Sequence, residues 1–197
     1  MNLAYFKIVE NIGTFLTNNI IDIRKNRSNK RWIFPEFPKS DSNYPEIVIE
    51  LTSSNYENFG GGDNYSHNEL YPNGNYAEYY NKILKCIVHI YVLTSKEEEY
   101  EIIDNGEKLY LTNKQLNVYL TNKVKNAINQ NRTEFVSGDN KFNEINLSDI
   151  SFPYENNKHS WASDLTIDIT LQDYWIKEYS AGRMIASYNL SETVERI

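Results

Sequence analysis

The stretch S-D-L-T-I-D-I-T-L-Q-D-Y-W-I, running from Ser163 to Ile176, decides the fold. Leu165, Ile167, Ile169 and Leu171 alternate with Thr166, Asp168, Thr170 and Gln172. Successive side chains of a strand point to opposite faces, so this period of two predicts a half-buried antiparallel strand. Two earlier segments share the pattern. Pro45 to Ser53 places Ile47, Ile49 and Leu51 on one face, and Tyr79 to Thr94 does the same with Leu84, Cys86, Val88, Ile90 and Val92. A fourth strand is expected over Ile145 to Phe152, followed by a loop from Pro153 to Ser160.

Helical spacing flanks these strands. Phe6, Val9, Ile12, Leu16, Ile20 and Ile23 recur every three or four residues, which predicts an amphipathic helix from about Leu3 to Arg24. Arg24, Lys25, Arg27, Lys30 and Arg31 follow, where cations complement the negative end of a helix dipole. Thr112 and Gln115 form a T-x-x-Q capping box that opens a second helix from about Asn113 to Asn131. Its apolar stripe is Leu116, Tyr119, Leu120, Val124, Ala127 and Ile128. Between the long strand and this helix, Asp104, Asn105 and Gly106 separate Tyr100–Ile103 from Lys108–Leu111, the signature of an accessory hairpin.

These elements predict an α+β domain spanning 1–179. Its antiparallel or mixed sheet has about four main strands plus the accessory hairpin, with both helices on one face. Three segments fall outside that pattern. Pro35 and Pro38 forbid a regular helix over 28–44, so this segment reads as an extended arm carrying Trp32, Phe34 and Phe37. Residues 54–75, with Gly60, Gly61 and Gly62, read as a long partner-contacting loop. Residues 180–197 read as a C-terminal tail or arm. The candidate interface residues are therefore Trp32, Phe34 and Phe37 of the arm and Tyr56, Phe59, Tyr65 and Tyr71 of the loop.

Composition narrows the function. The formal net charge of −7 opposes non-specific nucleic-acid binding over the whole surface, because phosphate neutralisation needs a positive field. Cys86 is the single cysteine, so no intrachain disulfide forms, and its place in an apolar strand makes it a small core residue. No apolar stretch approaches the ~20 residues of a membrane span, and the N-terminus lacks a basic and apolar leader. The chain reads as a soluble product of a reducing cytoplasm. The 16 Tyr favour interfaces and half-buried surfaces.

The chemistry-bearing motifs are sparse. The Gly-rich loop lacks G-x-x-x-x-G-K-[ST] and precedes no helix that would cradle phosphate. His67 with Asp63 and Glu69 is the local set closest to a metal site, without the His or Cys spacing of zinc. Glu46 and Glu50 bracket a strand and read as solubilising charge. His89 and Lys85 share a strand face with Ile83, Ile87, Tyr91 and Leu93, which reads as a partly covered or interface face. The sequence implies no catalytic residue, no metal and no cofactor, and the chain is not expected to be an enzyme.

The order of P-E-I-V-I-E-L, the Gly-rich segment, I-L-K-C-I-V-H-I-Y-V, a capped helix and T-I-D-I-T-L-Q-D-Y-W, after an N-terminal amphipathic helix, resembles the tail-terminator and neck (head–tail connector) proteins of tailed bacteriophages and related viruses. The resemblance spans roughly Leu3 to Tyr179 as a pattern of elements. It implies a structural virion protein forming a homo-oligomeric, usually hexameric ring at the tail–neck junction. That ring would contact the tail-tube protein and the neck or connector proteins, be assembled in the host cytoplasm, and pass genomic DNA through its channel without specific binding. The accessory hairpin, the arm and the C-terminal tail depart from the pattern. The alternatives are a soluble adaptor or binding module and a small metal-dependent enzyme.

Overall fold

The computed structural model describes residues 3–24, 31–35, 44–58, 64–104, 106–130 and 142–179. Among these the order is α1 (Leu3–Asn19), β1 (Ile33–Phe34), β2 (Glu46–Asn58), β3 (Asn64–Leu70), β4 (Tyr76–Ser95), β5 (Glu99–Asp104), β6 (Glu107–Thr112), α2 (Asn113–Gln130), β7 (Phe142–Ile150), β8 (Tyr154–Asn157) and β9 (Ser160–Tyr179). Two helices and mostly antiparallel strands make this an α+β fold, as the periodicity requires. The domain expected over 1–179 divides into two compact units: Met1–Ser54 with Lys85–Thr170, and Asn55–Leu84 with Leu171–Ile197. The chain passes between them within β2, β4 and β9.

In the first unit the strand order is β1-β2-β4-β9-β7, with β8 also paired to β9. β1 runs parallel to β2, Ile33 opposite Ile47 and Phe34 opposite Val48. On β4 and β9, Lys96 meets His159, Val92 shares a partner with Trp161, and His89 meets Asp164. Numbers rise on one strand as they fall on the other, so the pair is antiparallel. The same holds for β7 and β9, where the Ser151 N–H donates to the Asp164 carbonyl and Ser148 Oγ to the Thr166 carbonyl.

One sheet face carries the core. Ile47, Ile49, Val88, Ile90, Val92, Leu165, Ile167 and Ile169 are all at most 1% exposed, as the period-two reading demands. Burying each such side chain contributes roughly 1.5–3 kcal/mol. α1 lies against this face through Ile12 and Leu16, and a Cβ at Gly13 would come 3.6 Å from Ile49 Cδ1. α2 contributes Leu116, Leu120, Val124, Ala127 and Ile128. Asn117, absent from the predicted stripe, is fully buried beside them. Its Nδ2 donates to the Val92 carbonyl (2.7 Å) and the Trp161 carbonyl (3.3 Å), and its Oδ1 accepts from Ser163 Oγ. This carboxamide fixes the helix to two strands at once.

Several expectations are corrected. α1 stops at Asn19, whose Nδ2 bonds back to the Phe15 carbonyl (2.9 Å), instead of continuing to Arg24. Arg24 therefore does not cap the helix, and its guanidinium donates to the Tyr44 carbonyl (2.8 Å). Lys25, Arg27 and Lys30 lie outside the described residues. The loop expected over 54–75 is largely strand: β2 continues to Asn58, and β3 pairs antiparallel with β4 from Asn64–Asn81 to Leu70–Tyr76. Polar side chains conceal such strands from a hydrophobicity pattern, because cross-strand backbone bonding does not require apolar residues. The loop expected over 153–160 contains β8, in a tight hairpin with β9. Glu46, read as solubilising charge, is 2% exposed. The accessory hairpin forms as expected, β5 antiparallel to β6, with Gly106 at φ 85° in its turn. Residues 180–197 lie outside the described set.

Candidate functional site

The face of the first unit's sheet opposite the helices gathers its polar chemistry. Strand alternation that sends Val88, Ile90 and Val92 to the core sends Ile87, His89, Tyr91 and Leu93 the other way. Val48, Leu93 and Ala162 bury there as a small apolar cluster, with Tyr44 and Tyr91 packed against it. The antiparallel register then sets His89 Nδ1 2.8 Å from Asp164 Oδ2. Both side chains are half-buried, at 23% and 22% exposure. The Tyr91 ring stacks on the imidazole, with centroids 5.8 Å apart and planes 13° apart.

Electrostatics follow from this crowding. The Tyr91 hydroxyl is pushed up to about 12, chiefly by burial, then by the negative charges of Asp164 and Glu50 and its hydrogen bond to Glu50. Tyr154 is raised by burial and by the same Asp164. Both phenols therefore stay neutral donors at physiological pH. The His89 Nδ1 and Asp164 Oδ2 atoms are within hydrogen-bond distance, with the imidazole supplying the donor. Asp164 Oδ1 is buried and takes no hydrogen bond from the described residues. Around this centre Tyr154 is 44% exposed, Phe152 87% and Ile87 38%.

No known protein-family model matches this chain, and no curated protein is similar to it in sequence.

The aromatic residues singled out by sequence scatter. Trp32 is 4% exposed, buried within its own chain beside β1 where it lies along β2, so it builds the core instead of presenting a free anchor. Phe34 is half-buried, with the Arg31 guanidinium 5.9 Å from its ring centre. Tyr71 is half-buried in the turn between β3 and β4. Tyr56 and Tyr65 lie in β2 and β3, their side chains outside the described set, as are Phe37 and Phe59 altogether. Of the suggested metal set, Asp63 and the His67 side chain lie outside the described residues, and Glu69 is exposed opposite Ala77. Among the described residues no group of three or more His, Cys, Asp or Glu is placed to hold a metal, and no helix is long and apolar enough to cross a membrane.

Asp164 and Tyr154 escaped the sequence reading, and Glu50, read there as solubilising charge, bonds to Tyr91. Each is an ordinary polar residue on an alternating strand, and only the register of β2, β4, β8 and β9 brings them to His89. The face assignment of His89 was the one available signal.

Proposed function

We propose that this chain is a structural virion subunit of a tailed virus. In this reading it forms a homo-oligomeric, usually hexameric ring at the tail–neck junction, terminating the tail tube and joining it to the head connector. The observation that supports the reading is the pair of dissimilar open edges on the first unit's sheet. Among the described residues, only the two residues of β1 lie beyond β2 on one edge, and β7 has a single strand neighbour at the other. Open strand edges are templates for pairing with another chain. Two unlike edges make a heterologous head-to-tail contact, which generates a ring when the rotation closes. The order of elements resembles that of tail-terminator and neck proteins. A charge of −7 on every subunit gives DNA little to adhere to in the channel.

The test is assembly. The purified chain is examined by light scattering and negative-stain electron microscopy, alone and with tail tubes of the virus that encodes it. Closed rings, or caps on tube ends, are expected. A monomer under both conditions, or a locus without portal, capsid and tail-tube genes, overturns the reading.

A further inference from the structure

The second unit holds a cleft that the ring reading does not use. It has a volume of about 410 Å³ and is lined by Tyr71, Asn73, Asn75, Glu178 and Tyr179. That size falls within the ~300–1,000 Å³ of small-molecule sites. One wall is the turn between β3 and β4, built by its own hydrogen bonds. The Tyr71 N–H donates to the Asn75 carbonyl (2.8 Å), the Gly74 N–H to the Tyr71 carbonyl (2.9 Å), and the Asn75 N–H to Asn73 Oδ1 (3.0 Å). Gly74 sits at φ 80°, which glycine adopts without strain. The other wall is the end of β9. Tyr179 is held there by its hydroxyl, which donates to Glu78 Oε2 (2.9 Å), and by Tyr76, whose ring lies 5.7 Å away at 39°. The aromatic ring is thus fixed before any ligand arrives, which lowers the ordering cost of binding.

We propose that this cleft binds a neutral saccharide. Among the described residues its lining holds a carboxylate and no cation, which disfavours phosphate and nucleic acid. The apolar surface is limited to tyrosine rings, whose faces suit the C–H side of a pyranose. The polar groups are two carboxamides and a carboxylate. Sugar hydroxyls donate and accept at once, and carboxamides match them in both roles while the carboxylate accepts. Asn73 and Glu178 are exposed and Asn75 is half-buried, so their side chains are accessible to a ligand. The proposal rests on the second unit alone and stands whether or not the chain forms rings.

The experiment is saturation-transfer NMR on the full-length protein with maltotriose, triacetylchitotriose and lactose, each raised to about 10 mM, a range that captures weak millimolar binding. At least one saccharide is expected to bind, with the transfer weakened about tenfold or more by Asn73→Ala and by Tyr179→Ala. Because Tyr179→Ala also removes the bond to Glu78, circular dichroism checks its fold, and Glu178→Ala gives a second exposed variant. Weakened binding in Asn73→Ala and Glu178→Ala supports the site whatever Tyr179→Ala does. Absence of transfer from all three saccharides, or binding unchanged by Asn73→Ala and Glu178→Ala, overturns it.

Discussion

Replacing Asn117 with alanine removes a polar side chain that ties α2 to both β4 and β9. Three hydrogen bonds disappear, two to the Val92 and Trp161 carbonyls and one from Ser163 Oγ. A net intramolecular hydrogen bond contributes roughly 0.5–1.5 kcal/mol, and a buried donor left unsatisfied costs a further ~1–3 kcal/mol. The 3.3 Å bond is long and belongs at the bottom of that range. Ser163 is fully buried, so its hydroxyl becomes the orphan. The expected loss for Asn117→Ala is about 3–4 kcal/mol, a large share of the ~5–15 kcal/mol that holds a domain together. Ser163→Ala alone should cost about 1–2 kcal/mol, since it strands Asn117 Oδ1 but leaves both carbonyl bonds in place. The double variant should cost less than the sum of the two, because removing the serine hydroxyl after the asparagine relieves the orphan. A coupling of about 1 kcal/mol or more is therefore expected between these contacting residues. Urea unfolding followed by circular dichroism measures all three. An Asn117→Ala variant within about 0.5 kcal/mol of the parent, or strict additivity, would refute the claim that this carboxamide locks the helix to the sheet.

Ile169→Asp should unfold the first unit, since Ile169 is 1% exposed and a lone charge there has no partner, whereas Asp168→Asn on the exposed side should shift stability by less than about 0.5 kcal/mol in the same assay. Trp32→Ala should lower stability by about 3–5 kcal/mol, because the ring is buried within its own chain; a variant that keeps its melting temperature would contradict this. Burial pushes the Cys86 thiol up to about 11, so Ellman's reagent should react with it at neutral pH only after urea unfolding, and rapid labelling of the folded chain would count against the core assignment. Tyr91 keeps its proton to about pH 12 when folded, while an unfolded tyrosine loses it near 10. Between those values the folded state binds more protons, so this contribution is whole below about pH 10 and is lost as pH rises through about 12. Tyr91→Phe should flatten that part of the alkaline stability profile.

What the sequence determined by itself is everything that depends on neighbours along the chain. The alternation from Leu165 to Ile169 and from Leu84 to Val92 names the core face correctly, because side-chain direction in a strand is a local consequence of the pleat. The stripe Leu116–Leu120–Val124 and the turn at Gly106 were legible for the same reason. Elements whose residues are polar were not. β3, the end of β2 and β8 are held by backbone hydrogen bonds to another strand, and nothing in N-Y-S-H-N-E-L advertises that pairing. Only the tertiary structure decided which strands adjoin, and with them the candidate sites. His89 and Asp164 are 75 residues apart in sequence and 2.8 Å apart in space, a meeting fixed by the register of β4 on β9. Asn117 stands outside the apolar stripe, and two strand carbonyls and a serine surround it. Tyr71 and Tyr179 share a cleft because β9 ends beside the turn between β3 and β4. Periodicity is written residue by residue, whereas register is set by the summed packing of distant segments. For that reason the faces could be read from the chain, but their partners could not.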